Sequence, residues 1–324
     1  MFKVGPNPYG MCCTLGIQGD HPAPRDVNWL IDYAIGMRAK CIEFHFGQLM
    51  ALNLDQLKRI RETLEEHGIE PILSGPWPLE ELPNGFPIAK ALGGKTIRTH
   101  LSPILCGARS ELGSYWDSLV SNIQIQLNDL APRAENGGFV IAIENHQDFG
   151  SNELVEFCDV AGPAIGICLD TGNPLAVGED PMDFTRRVSP KVRHVHLKDY
   201  RAQATSEGYR LVRCAIGDGA VPLQEIHQIL AQNHSELTAS IEPGALNARH
   251  IRLRTVEWQE RYRPDSLNIE VACRVALGRA AIEAHEEFRT PWELNSDTNE
   301  VCEFELGQMS KSVFNMQELG WLPK

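Results

Sequence analysis

Short apolar runs recurring between longer segments of helical period constrain this chain more than any other feature, because that alternation is the sequence form of repeated βα units around a parallel sheet. Strand-like runs stand at 4–15, 40–46, 69–75, 95–101, 139–145, 165–170, 192–198 and 237–243. Helical patterns lie near 25–38, 53–67, 114–134, 151–161, 180–188, 221–233 and 267–287. His67-Gly68, Gly93-Gly94 and Gly137-Gly138 each follow a helical pattern and precede a strand, as left-handed helix ends do. The third unit is the weakest: LEELPNGFPIAKALGG carries two prolines and has room only for a short helix before Lys95. Eight units predict an α/β fold, a (β/α)8 TIM barrel. Such a barrel takes roughly 250 residues, so a chain of 324 leaves an appendage. We place the barrel at residues 1–288 and a C-terminal extension at 289–324, rich in apolar residues such as Trp292, Phe304, Met309, Phe314 and Trp321. The extension is expected to form a lid or a subunit interface.

Charge and composition narrow the function. A formal net charge of −13, with no basic block to offset it, repels phosphate backbones, so nucleic acid is excluded as a partner. No run of 18 or more apolar residues suggests a membrane span, and the first residues lack the pattern of a secretory leader; a cytoplasmic location is expected. The nine cysteines are scattered without CxxC pairs, which fits reduced thiols. Neither GxGxxG nor a P-loop occurs, so nothing supports a nucleotide cofactor.

The chemistry is concentrated at the C-terminal ends of the last four predicted strands: Glu144 in IAIEN, Asp170 in ICLD, His196 in VHLK and Glu242 in SIEP. That end of a barrel carries the active site. Glu144 to Asp170 and Asp170 to His196 are each 26 positions, one βα unit, which puts successive residues on neighbouring strands. The step from His196 to Glu242 is 46 positions and contains the polar insertion DYRAQATSEGYRLVRCAIGDG, also expected to act as a lid or interface. Any one of these carboxylates alone is equally well read as a helix cap or a salt-bridge partner; the joint spacing argues for an ion. Three carboxylates and one imidazole suit one divalent cation, Mn²⁺ first, with Mg²⁺ or Co²⁺ as alternatives. Of His194 and His196, only one is expected to point inward.

Other polar residues surround this set. His146 and Lys198 each lie two positions beyond a proposed ligand and are candidates for proton transfer or charge stabilisation. Glu43, His45 and His100 end the second and fourth strands and are expected to line a substrate pocket, as are Asn173 after the sixth strand and Arg213 in the insertion. Trp77, Trp116 and Trp258 are read as core or interface residues.

IAIENH, CLDTGN, VRHVHLKDY, AIGDGAVP and SIEPG together resemble the xylose isomerase-like barrels, a superfamily of sugar-phosphate isomerases and epimerases, ketose epimerases, inosose dehydratases and endonuclease IV. The resemblance covers roughly residues 25–245. It implies a single metal on Glu144, Asp170, His196 and Glu242, with the two glutamates as acid and base on a carbon next to a carbonyl. Two departures stand out. Asn173 occupies the place where many ketose epimerases have a histidine, and Leu211 and Arg213 stand where the nuclease branch has an Asp-x-His pair, so a three-zinc nuclease site is broken. The expected activity is isomerisation or epimerisation of a keto-sugar or sugar acid through a metal-stabilised enediolate. A lyase of the same family is the alternative: 3-oxo sugar acid decarboxylase, dehydratase or 3-oxo-C-glycoside deglycosidase. The expected partners are a small carbohydrate and further subunits, either copies of this chain or a different one.

Overall fold

Each apolar run becomes a strand buried on both faces, one toward the barrel interior and one toward helices. The computed structural model describes residues 2–263, 267–283, 286 and 288–324. Its strands are β1 (Phe2–Pro6), β2 (Cys41–His45), β3 (Glu70–Ser74), β4 (Thr96–Thr99), β5 (Val140–Glu144), β6 (Ile165–Asp170), β7 (Val192–Leu197), β8 (Tyr200–Thr205), β9 (Gly208–Arg213), β10 (Leu237–Ile241) and β11 (Arg249–Ile251). The helices are α1 (Val27–Gly36), α2 (Phe46–Leu49), α3 (Leu54–His67), α4 (Phe86–Leu92), α5 (Tyr115–Gly137), α6 (Ser151–Ala161), α7 (Pro181–Val188), α8 (Leu223–Ala231), α9 (Val256–Gln259), α10 (Ile269–Ala276) and α11 (Thr298–Glu318).

Eight strands form one parallel sheet in the order β1-β10-β7-β6-β5-β4-β3-β2. Its edges meet: the Lys40 N–H, just before β2, donates to the Val4 carbonyl in β1 at 2.8 Å. A Cβ at Gly5 would overlap the Cys41 carbonyl, so only glycine lets the two seam strands approach this closely. The expected (β/α)8 barrel is therefore the fold of the chain.

The helices follow from local signals. In α3 the Asn53 side chain accepts from the Gln56 N–H while the Gln56 side chain answers the Asn53 N–H, and Leu57, Ile60 and Leu64 form the buried stripe. Gly68, Gly93 and Gly138 end α3, α4 and α5 at φ of 64°, 76° and 74°, the three stops read from the sequence. The third unit holds a 3-10 turn over Leu79–Gly85 and the short α4, as its prolines required.

Three segments differ from expectation. The first strand ends at Pro6 rather than running to residue 15, because Pro6 and Pro8 offer no ladder donors and the chain turns into a 3-10 helix over Pro8–Met11. The polar insertion folds as the hairpin β8–β9, and β11 adds to β9 antiparallel, making a separate three-stranded sheet. The helix expected over 267–287 is only α10, packed against β8 and β9; residues 284, 285 and 287 lie outside the described residues.

Helix α11 packs against β10 and against the 3-10 turn that follows β1. Met309 and Met316 are fully buried in the main core. Glu305, also fully buried, fixes the contact: its carboxyl oxygens accept from Cys13 N–H (3.1 Å), Cys12 Sγ (3.3 Å), and Thr14 N–H and Oγ1 (2.9 Å each). Losing that acceptor strands two backbone N–H groups. Glu305→Ala is expected to lower stability by about 3 kcal/mol, read from urea unfolding, with Glu305→Gln losing clearly less; equal stability of wild type and both variants would contradict this role.

Candidate metal centre and active site

Side chains two apart on a strand share a face, and this rule assembles the site at the C-terminal mouth of the barrel. Glu144 ends β5, Asp170 ends β6, His196 lies near the end of β7, and Glu242 follows β10 directly. One ligand atom from each of the four lies within 4.8 Å of the others, and all four residues are buried. Beyond ion pairs with Arg98 and Lys198, the Glu144 oxygens, Asp170 Oδ2 and His196 Nδ1 have no well-aligned hydrogen bond among the described residues. His196 Nδ1 stands 2.9 Å from Glu242 Oε2 and 3.4 Å from Glu144 Oε1. Buried oxygens and a ring nitrogen this close to one another are costly by themselves, and this donor set fits a hard or borderline divalent cation.

His196 is oriented from behind. Its Nε2 lies 3.0 Å from Glu43 Oε2 and 3.2 Å from Asn7 Nδ2. A proton on Nε2 shared with Glu43 leaves the Nδ1 lone pair facing the other three ligands. Glu43 is fully buried and also accepts from Ser74 Oγ (2.6 Å) and Asn7 Nδ2 (3.0 Å). Its place is thus behind the imidazole rather than in the open mouth. The expectation that only one of the two histidines points inward is wrong: His194 and His196 are two residues apart, share a face, and both rings reach Glu43 Oε2.

Cations compensate the carboxylates. Lys198, only 2% exposed, bridges Asp170 Oδ2 (2.8 Å) and Glu242 Oε1 (2.5 Å). Burial alone would lower its pKa, but Asp170 and Glu242 raise it above the ordinary lysine value. Burial pushes Glu242 up, yet Lys198 and His196 hold it well below the usual carboxylate range. Arg98, from β4, forms a buried ion pair with Glu144.

The remaining candidates divide. His146 packs beside His100, with ring centroids 4.9 Å apart, and His100 stacks on Trp77 at 5.2 Å. Burial and Arg98 lower His100 to about 3, and burial with His100 lowers His146 well below its ordinary value, so both rings are neutral near pH 7. His45 stands edge-on to Tyr9 at 5.6 Å. Asn173 donates its N–H to Asp170 Oδ1 (3.0 Å) and leaves Nδ2 buried without a partner. Arg213, 7% exposed, has its Nη1 against Gly244, two residues beyond Glu242. Trp77 borders the site, whereas Trp116 and Tyr262 sandwich Arg109 elsewhere and Trp258 stacks on Tyr262.

Sequence reading missed Arg98, Asn7 and Arg249. Arg98 was legible in principle, since it precedes His100 by two in an otherwise strand-like run. Asn7 and Arg249 carried no such signal; long-range folding brings them in. Two thiol-containing groups also bring ligand atoms within 4.8 Å of one another, Cys168 with His194 and His196, and Cys12 with Cys13 and Glu305; in the first the His194 and His196 rings are engaged by Glu43, and in the second the Glu305 oxygens are taken by the bonds that hold α11.

The xylose isomerase-like TIM barrel family model matches residues 32–261. The chain belongs to this family. Among curated relatives, 3-oxo-isoapionate decarboxylase of Pectobacterium atrosepticum is 24% identical over 73% of this chain and 78% of that protein. Inosose dehydratase of Bacillus anthracis is 28% identical over 37% of this chain, and the match spans only 44% of that enzyme. Among solved structures, L-ribulose 3-epimerase superposes with a TM-score of 0.58 at 12% identity, covering 99% of this chain and 97% of that one, a likeness of fold.

The orientation of His196 generates a test on this xylose isomerase-like barrel. Glu43→Gln, which keeps the volume but changes the partner of Nε2, is expected to weaken Mn²⁺ binding roughly tenfold to a hundredfold in a calorimetric titration. Unchanged affinity would remove Glu43 from the centre's support.

Proposed function

We propose that this protein is a divalent-metal-dependent isomerase or epimerase that moves a proton on the carbon beside a carbonyl of a keto-sugar or sugar acid. The observation that carries this reading is the meeting of Glu144, Asp170, His196 and Glu242, all buried, with one ligand atom of each within 4.8 Å of the others. These four would hold the ion, with manganese first and magnesium or cobalt as alternatives. When bound, the ion polarises the substrate carbonyl and increases the acidity of the adjoining C–H.

The chain's own groups supply the rest. Glu144 and Glu242 belong to β5 and the end of β10, with β6 and β7 between them in the sheet, so they approach a substrate from different parts of the wall. One carboxylate takes the proton and the other returns one, which inverts or relocates the centre. Lys198 keeps Glu242 ionised between turnovers, and Arg98 pairs with Glu144. Lys198, held charged, also favours negative charge developing on a substrate oxygen. His146 is neutral with a free Nδ1 and can relay a proton. Asn173 Nδ2 offers a donor to a hydroxyl, and the Trp77–His100 stack with His45 gives the apolar face of a sugar a wall to lie against. Glu43 acts through His196 as a positioning residue.

A lyase reading is favoured by one observation, the decarboxylase relative aligned over most of both chains. The same proton chemistry would then accompany loss of CO₂, water or an aglycone, with His146 the more exposed proton carrier.

Purified protein is expected to bind about one divalent ion per chain, and Asp170→Ala to lose it, as metal analysis reads directly. Ketoses and sugar acids incubated in D₂O with the loaded protein should gain deuterium at the carbon next to the carbonyl, followed by NMR. Glu242→Gln should cut that exchange at least about a hundredfold while changing substrate binding far less. Normal exchange in both Glu144→Gln and Glu242→Gln would refute the carboxylate mechanism in either version.

A further inference from the structure

The three-stranded sheet outside the barrel places two arginines on one face. Arg249 in β11 pairs directly with Leu211 in β9, so their side chains point the same way, and Arg213, two residues beyond Leu211, points with them. Leu211 is fully buried, which turns this face inward. Arg213 is 7% exposed, with Nη1 against the Gly244 backbone just past Glu242. The pair therefore stands at the rim of the site described above.

Among the described residues neither guanidinium has an ion-pair or hydrogen-bond partner, and the Nε of both is buried and unsatisfied. That sets them apart from Arg98 and Arg109, each tied to a buried or half-buried carboxylate. Burial and the charge of Arg213 lower the pKa of Arg249, which records the mutual repulsion. Two like charges side by side, largely out of water and with no carboxylate in ion-pair contact, are an expensive arrangement; Glu242 and Asp170 act on Arg213 only from beyond contact distance. Planar forks with free donors match the oxygens of an anion.

We propose that Arg213 and Arg249 form an anion clamp, so that the substrate is a sugar carrying a carboxylate or phosphate at the end remote from the reacting carbonyl. This deepens the isomerase-or-lyase reading and rests on it for the position of the reacting end. The anion would supply the charge that the protein withholds from this pair, and it would fix which way round a polyhydroxylated chain lies across the four ligands.

A matched set of probes tests this: D-fructose, D-fructuronate and D-fructose 6-phosphate, the same ketose ending in an alcohol, a carboxylate or a phosphate. Calorimetry on the full, manganese-loaded chain should give at least about tenfold tighter binding for one anionic member than for fructose. The member that gains identifies the anion. Arg213→Gln and Arg249→Gln should each bring that preference to within about twofold with bound metal unchanged, and Arg249→Lys should recover part of it. Ligand-free Arg249→Gln should unfold at or above the wild-type midpoint, since it removes an uncompensated charge. Equal binding of all three probes, no binding of either anion, a preference that survives both glutamine variants, or a ligand-free Arg249→Gln midpoint clearly below wild type would each overturn the clamp. Anion preference without deuterium exchange would sink the isomerase reading and leave the clamp standing.

Discussion

Four carboxylates, Glu43, Glu144, Asp170 and Glu242, are buried at one mouth of a parallel barrel, and the rest of the site is arranged around the cost of keeping them there. Charges removed from water must be paired or hydrogen-bonded. Lys198 bridges two of them, Arg98 pairs with a third, and the fourth is shared by two histidines, a serine and an asparagine. What these contacts leave is a convergence: ligand atoms of Glu144, Asp170, His196 and Glu242 lie within 4.8 Å of one another, with only Arg98 and Lys198 to offset three buried carboxylates. A divalent ion would satisfy all of them together.

The same economy explains why the site is layered. Glu43 gives the imidazole a fixed direction from behind, and the neutral pair His100–His146 adds ring surface without adding charge to a region already holding Arg98 and Lys198. Neutrality there has a physical cause. Burial and neighbouring cations both oppose protonation of these rings. Arg213 and Arg249 break the pattern, being inward-facing cations with no carboxylate in ion-pair contact among the described residues, and an imbalance of this kind points toward something the site receives.

Architecture supplies the precision. Parallel strands bring Glu144, Asp170 and His196 together: Asp170 pairs with His196 along the ladder, and Glu144 pairs with Cys168, two residues before Asp170 on the same face, an offset of the kind a closed barrel's stagger carries. Helix α11 closes the unit from outside, tied to the first turn by Glu305. Asn7, which touches Glu43, His196 and Glu242, sits one residue before that turn. Packing at the C-terminal helix and the back of the site are thus neighbours along the first dozen residues.

The sequence by itself determined the βα repeat, the glycine stops of α3, α4 and α5, and the quartet at strand ends, because these depend on short-range periodicity and on the fixed length of one βα unit. It also contained the shared face of His194 and His196, which a period of two demands. Only the tertiary structure decided that Glu43 stands behind His196, that Arg98 meets Glu144, that residues 200–213 form a hairpin joined by β11, and that Arg249 comes to lie beside Arg213. Apart from the hairpin turn itself, those side-chain meetings join residues from 36 positions apart (Arg213 and Arg249) to 153 (Glu43 and His196). Local propensity says nothing about them; closing the barrel and docking one strand on another are what bring such side chains into one small volume.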